Sequence, residues 1–370
     1  MIYFDNAATS GHRPESVISA AAAAMRAGAN PGRSGHSLSL ACAERVYCVR
    51  KILQEFFCAP SAERIIFTKN CTEALNIAIL GTLREGDKVV TTVAEHNSVL
   101  RPLKFLEGRG VTVRYAPLDK HGNINVKQLA RMAEGADAVV ITLASNVTGV
   151  APDICAVKHA IPPQTMLICD GAQACGHEKI DFTALGIDAL AVAGHKGMLA
   201  LQGSGALIMS ERFNPRPVMF GGTGSESYNL SMPDFYPDRL EAGTLNYPAI
   251  ISLGEGALWL KTRLYENRDR LVYLTDLLIN GLTDMGVNVY SRTNSYGIVA
   301  FDVSKRPSEQ IAERLSRDYN ICVRAGLHCA PLMHGALGSS GLVRASLSPF
   351  NTQGEVQYFL KAMGEIVDGR

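Results

Sequence analysis

The sequence predicts an α/β fold: a large domain on a mostly parallel, doubly wound sheet, followed by a smaller α+β lobe. Three observations carry this reading. From residue 65 onward, apolar runs of strand length alternate with helix-length segments. Such alternation favours βαβ units around a parallel sheet. A loop-rich stretch over 213–248, with several Gly and Pro, interrupts that pattern, and a second mixture of strands and helices follows it. The 370 residues also suit two domains, or one large unit with an appended lobe.

Residues 2–9 read as a short strand or extended arm, leading into an alanine-rich helix over 15–27. The run 30–35 is a Gly/Pro/Ser break, and a helix follows over 38–57. Strands are predicted at 65–68, 88–92, 111–115, 138–142, 166–169, 188–193 and 205–209. Helices are predicted at 72–83, 98–108, 125–134, 153–160 and 181–185. Several of the strands are continuously apolar, as suits a sheet covered on both faces. One long helix over 250–282 bridges to the second lobe. That lobe has predicted strands at 297–302, 321–324 and 342–347, and helices at 307–318 and 353–367. The expected division is a large domain over 15–255 and a small domain made of 1–14 and 256–370.

Composition narrows the function classes. The chain carries 36 basic and 35 acidic residues, a net charge of +1. That balance gives no electrostatic case for nucleic acid or an anionic membrane. The first residues, Met1-Ile-Tyr-Phe-Asp5, lack the basic and apolar regions of a signal peptide. No apolar run approaches the roughly 20 residues of a membrane span. Nine cysteines without regular spacing read as free thiols in a reducing cytoplasm. No CxxC or CxxH pair points to a metal site.

Two apolar runs end in chemistry. Residues 166–169 lead into Asp170-Gly-Ala-Gln173, and residues 187–193 lead into Gly194-His195-Lys196. Ligands of open α/β sheets sit at strand carboxyl ends. An amine and an acid at two such ends match the needs of pyridoxal 5'-phosphate: an amine to condense with its aldehyde, and a carboxylate to keep its ring nitrogen protonated. Gln173 is a candidate donor to the cofactor's phenolic oxygen. Lys69-Asn-Cys71-Thr72-Glu opens a helix after a strand, which presents backbone N–H groups and the Thr72 hydroxyl to a phosphate. Read singly, that stretch is also an ordinary helix cap. His195 is a further phosphate donor, and Thr244, in Glu-Ala-Gly-Thr, is one from a neighbouring subunit.

Other positions surround this core. His96, in Glu95-His-Asn-Ser98, can lie on a planar ring and move protons. Asn146 can bond both cofactor and substrate, although Asn in such a setting also suits a turn. Cys329, in Arg324-Ala-Gly-Leu-His-Cys-Ala-Pro, sits on a loop beside a histidine and downstream of an arginine, which favours a thiolate. Arg344 is a charge inside an apolar run, so it demands an anionic partner. A substrate carboxylate held by two parallel hydrogen bonds suits it.

Together these motifs resemble the cysteine desulfurases of the class V, fold-type I pyridoxal-phosphate enzymes. The resemblance runs from Phe4-Asp-Asn-Ala-Ala-Thr9 through Glu95-His-Asn-Ser-Val, Asp170-Gly-Ala-Gln173 and Gly194-His-Lys196 to Arg324-Ala-Gly-Leu-His-Cys329 and Arg344-Ala-Ser-Leu. It implies a homodimer with sites completed across the interface. It also implies L-cysteine or L-selenocysteine as substrate, with Lys196 moving the α-proton and His96 assisting. Arg344 would hold the carboxylate. Cys329 would take the sulfur as a persulfide for a separate acceptor protein, leaving alanine. Two departures stand out. Ala193 replaces a serine common before Gly-His-Lys, which removes one phosphate donor. The Cys329–Arg344 spacing of 15 residues resembles the short-cysteine-loop group, whereas Glu95-His96-Asn97 resembles the longer-loop group. A selenocysteine lyase, a cysteine-sulfinate desulfinase, a class V aminotransferase and a non-catalytic sulfur carrier are the competing readings.

Overall fold

The computed structural model describes residues 1–119, 122–304 and 306–369. In chain order, a short strand β1 (Ile2–Tyr3) precedes helices α1 (Glu15–Arg26) and α2 (Ser37–Phe57). Then come β2 (Ile65–Thr68), α3 (Cys71–Thr82), β3 (Lys88–Thr92), α4 (Asn97–Glu107), β4 (Thr112–Ala116), α5 (Val126–Met132), β5 (Ala138–Thr142), α6 (Ile154–Ala160), β6 (Met166–Asp170), β7 (Ala189–Ala193) and β8 (Gly205–Met209). These strands form one seven-stranded sheet in the order β2-β8-β7-β6-β5-β3-β4. All its strands run parallel except β8, which lies antiparallel between β2 and β7. The mostly parallel sheet predicted from the alternation is therefore present.

Both faces of that sheet are covered. Along β5, Ala138 and Val140 pack into one core with Leu75 and Ile79 of α3. Val139 and Ile141 pack into the other, with Leu53 of α2 and with Leu253 of α7 (Tyr247–Lys261). Each fully buried Val, Ile or Leu contributes about 1.5–3 kcal/mol relative to exposure. Two-sided burial also explains why the strands lack polar alternation.

The second lobe follows α8 (Leu264–Asp284). It contains β9 (Asn288–Val289), β10 (Ile298–Asp302), α9 (Ser308–Tyr319), β11 (Ile321–Cys322), β12 (Arg324–Gly326), α10 (Pro331–Leu337), β13 (Leu342–Ser346) and α11 (Gln353–Val367). An antiparallel sheet runs β12-β13-β10-β9, while β11 pairs with β1 in a separate parallel ladder. Phe4, Phe301 and Phe359 centre its core.

Three expectations are corrected, and two short elements are added. The helix predicted at 181–185 is a turn closed by Gly186 at φ 62°, with Asp181 capping Ala184 N at 2.9 Å. It is too short to nucleate a helix. The helix predicted over 250–282 is two helices, broken at Thr262 and Arg263, where Arg263 takes φ −125°. The strand predicted at 321–324 divides between two sheets. Strand β9 and helix α10 were not predicted, being two and seven residues long.

Candidate active site

The site is built on consecutive strand ends. Strand β6 finishes on Asp170, which is 4 % exposed. Its Oδ1 accepts hydrogen bonds from the Cys71 thiol at 3.3 Å and from Ala172 N at 2.9 Å. Among the described residues no donor reaches its Oδ2. The neighbouring β7 finishes at Ala193 and turns through Gly194-His195-Lys196. A Cβ on Gly194 would lie 2.0 Å from Ser204 Oγ, so only glycine lets this turn pack against the residues entering β8. Burial lowers the Lys196 pKa, with the Asp170 charge opposing that shift. Both groups line one cleft holding about 470 Å³ of empty space, counting its open mouth.

Two helix N-termini close the same cleft. Asn70 caps α3, accepting from Glu73 N at 2.9 Å, so Cys71 and Thr72 occupy its first turn. His96 caps α4, its Nδ1 accepting from Ser98 N at 3.0 Å. That bond leaves the neutral ring's proton on Nε2. Burial lowers the His96 pKa to about 4; Asp170 opposes this, and Lys196, Arg324 and Arg344 add to it. His195 Nδ1 lies 3.1 Å from Thr9 Oγ1, and burial lowers its pKa to about 4 as well.

The thiol approaches from the second lobe. Cys329 is exposed, at the end of an adjoining cleft that shares Thr72, His96 and Ser98 with the first. His328 and Cys329 both adopt left-handed backbone conformations, at φ 49° and 58°. Such conformations cost about 1–2 kcal/mol each and need external ties. Asn146 Nδ2 donates to His328 O at 2.7 Å, and Asn97 N donates to Cys329 O at 2.7 Å. His328 Nε2 donates to Leu342 O at 3.1 Å. Arg324 Nη2 lies 3.6 Å from Cys329 Sγ. Across the β12–β13 ladder, Arg324 stands directly opposite Arg344.

The structure thus brings Cys71, Thr72, His96, Asn146, Asp170, Gln173, His195 and Lys196 to one cleft. Thr244 is exposed and does not line it. Gln173 donates through Nε2 to Ala7 O at 3.1 Å, tying the N-terminal arm to the β6 end. Arg344 is 1 % exposed, and its anionic partner within the chain is Asp5, with Nη2 3.0 Å from Oδ1. Its Nη1 donates to Asn146 O at 2.8 Å. Sequence reasoning did not single out Asp5 or Ser98 as site residues, and it used Arg324 only as a neighbour of the loop cysteine. Asp5 is 339 positions from its partner, a distance no local pattern spans. Arg324 had a signal: it begins an extended segment five residues before the loop cysteine.

Comparison with known proteins agrees with this geometry. The model of the class-V aminotransferase family matches residues 2–359. A probable cysteine desulfurase of Pyrococcus abyssi is 32 % identical, over 99 % of this chain and 94 % of that protein. A cysteine desulfurase of Salmonella dublin is 30 % identical, over 99 % and 93 %. The solved apo cysteine desulfurase from Thermococcus onnurineus NA1 is similar with TM-score 0.92 and 32 % identity, covering 100 % of this chain and 95 % of that one. The cysteine desulfurase CsdA (S-sulfonic acid) from Escherichia coli gives 0.88 and 27 %, covering 99 % and 94 %. On the span of the family model and the near-complete coverage of these relatives, the chain belongs to the cysteine desulfurases of the class-V aminotransferase family.

Proposed function

We propose that this chain is a pyridoxal-phosphate-dependent enzyme that converts L-cysteine to L-alanine, retains the sulfur as a persulfide on Cys329 and passes it to an acceptor protein. The observation that carries the reading is a half-buried amine and a buried acid at neighbouring strand ends, in a cleft continuous with an exposed thiol. The residues fit the cofactor. Asp170 keeps one oxygen open for a ring nitrogen, Lys196 supplies the amine, and the first turn of α3 with Thr72 and His195 suits a phosphate. Ser98 Oγ, 2.9 Å from Thr72 Oγ1, adds a hydroxyl near the end where Ala193 provides none. When bound, the cofactor supplies the electron sink that acidifies the substrate α-carbon.

The protein's own groups divide the remaining work. Two like charges facing each other across a ladder destabilise it unless anions offset them; Asp5 offsets Arg344, and a substrate carboxylate would offset Arg324. Lys196, with its pKa lowered, accepts the α-proton. His96 stays neutral at pH 7 and presents Nε2–H, so it donates without adding a charge. Cys329 Sγ forms the new S–S bond as the substrate's C–S bond breaks. The electron pair of that bond remains with the carbon skeleton, which leaves as alanine after protonation. Arg324 Nη2, 3.6 Å from Sγ, lies beside the nucleophile.

The assignment of a large domain to 15–255 and a small one to 1–14 with 256–370 is supported by sheet membership, since β1 pairs with β11 of the second lobe. Thr244, exposed and away from its own cleft, suits a role across a homodimer interface. Nine free thiols suit the cytoplasm. Among the described residues no helix is long and apolar enough to cross a membrane. The test is incubation of the holoprotein with L-cysteine, measuring protein mass before any reductant is added and alanine over repeated turnover once a reductant is present. One added sulfur mapped to Cys329 is expected. Alanine output from Cys329→Ala equal to that of the unsubstituted protein would overturn the assignment of the nucleophile.

A further inference from the structure

We propose that Cys71 is a positioning residue that acts through Asp170, its thiol engaging one carboxylate oxygen so that the other is presented to the cofactor's ring nitrogen. The inference rests on the pyridoxal-phosphate reading and adds a residue to it. Cys71 opens α3 and lines the same cleft as Asp170 and Lys196. Its Sγ lies 3.3 Å from Asp170 Oδ1, and Ala172 N donates to that same oxygen at 2.9 Å. Both protein donors therefore converge on Oδ1. Asp170 is 4 % exposed, and no donor among the described residues reaches its Oδ2. A carboxylate oxygen of a largely buried residue, left open beside a cleft, can take a donor from a ligand.

The thiol is suited to donating and not to attacking. Burial, reinforced by the Asp170 charge, raises its pKa well above that of an ordinary cysteine. Cys71 therefore remains S–H near neutrality, while the exposed Cys329 is the reactive thiol. A donor on Oδ1 has two effects. It fixes the rotation of the carboxylate, and it draws charge from the group that faces both the ring nitrogen and the Lys196 amine. Asp170 is the main group raising the Lys196 pKa, so the Cys71 bond moderates that pull too.

The experiment compares the holoprotein with Cys71→Ala and Cys71→Ser, recording the visible cofactor band against pH and the dissociation constant of pyridoxal 5'-phosphate from the apoprotein. Removing the donor leaves Asp170 more negative, so the alanine variant's spectral midpoint moves up, by about half a pH unit for one weak S–H donor. Its cofactor dissociation constant rises several-fold. The serine variant keeps a donor and returns both values toward those of the unsubstituted protein. Packing alone would treat the two smaller side chains alike. Equal behaviour of Ala and Ser, whether both unchanged or both shifted, therefore overturns the proposal. Absence of any visible band from the unsubstituted protein would instead sink the cofactor reading, and this inference with it.

Discussion

Replacing Glu95 by glutamine should make the protein's stability less sensitive to pH. Glu95 is 0 % exposed. Its Oε1 accepts from Thr92 Oγ1 at 2.6 Å and Thr142 N at 3.1 Å, while its buried Oε2 has no partner. Burial raises its pKa from 4.5 to about 8, against the pull of those two hydrogen bonds. An unfolded glutamic acid releases its proton near 4.5, whereas the folded one keeps it to about 8. Across that window the native state binds the extra proton, so rising pH erodes stability. At roughly 1.4 kcal/mol per unit, the loss between pH 4.5 and pH 7 is about 3 kcal/mol. Glu95→Gln retains the Oε1 acceptor and removes the titration. Urea unfolding at pH 5.5, 6.5 and 7.5 should show the unsubstituted protein losing about 1.4 kcal/mol per pH unit relative to the variant. Parallel curves would refute the reasoning, because they would mean that Glu95 is already ionised in the native state.

Gly194→Ala would set a Cβ 2.0 Å from Ser204 Oγ and 2.9 Å from Ser204 Cβ; we expect a loss of about 1–3 kcal/mol in calorimetry, partly recovered by adding Ser204→Ala. Glu241→Ala strands Arg50, whose Nη2 lies 2.6 Å from Glu241 Oε2 with both side chains buried, and frees Phe67 N. Its urea midpoint should report a loss of about 3–5 kcal/mol. His96 should titrate by NMR near pH 4 instead of 6.5. Because the unfolded residue takes up its proton near 6.5, acid erodes stability as pH falls below that value.

Much of the sheet was legible because its strands are short apolar runs buried on both sides. The predicted limits of β2, β3, β5 and β8 match the structure. The residues at the strand ends were legible for a related reason: a polar side chain after such a run has nowhere to go but a cleft. What could not be read was set by distance along the chain. The Asp5–Arg344 pair joins residues 339 apart, and the split of 321–326 between two sheets depends on which neighbour each half meets. Asn146 illustrates the same limit. It was anticipated near cofactor and substrate, and it does line the cleft, yet its amide hydrogen also supports His328 O. Only the folded arrangement shows that it braces the cysteine loop.

The N-terminal arm has a consequence for the order of assembly. Its strand β1 finds a partner only at Ile321–Cys322, Asp5 bridges to Ser346 and pairs with Arg344, and Asn6 Nδ2 donates to Ser346 O. During synthesis this arm must therefore wait for residues 321–346 before it can pair. Until then Arg344 and Asp5 cannot meet, and β1 lacks its partner strand β11, just ahead of the thiol loop. A fragment ending before this region carries Lys196 and Asp170 but neither Cys329 nor Arg344.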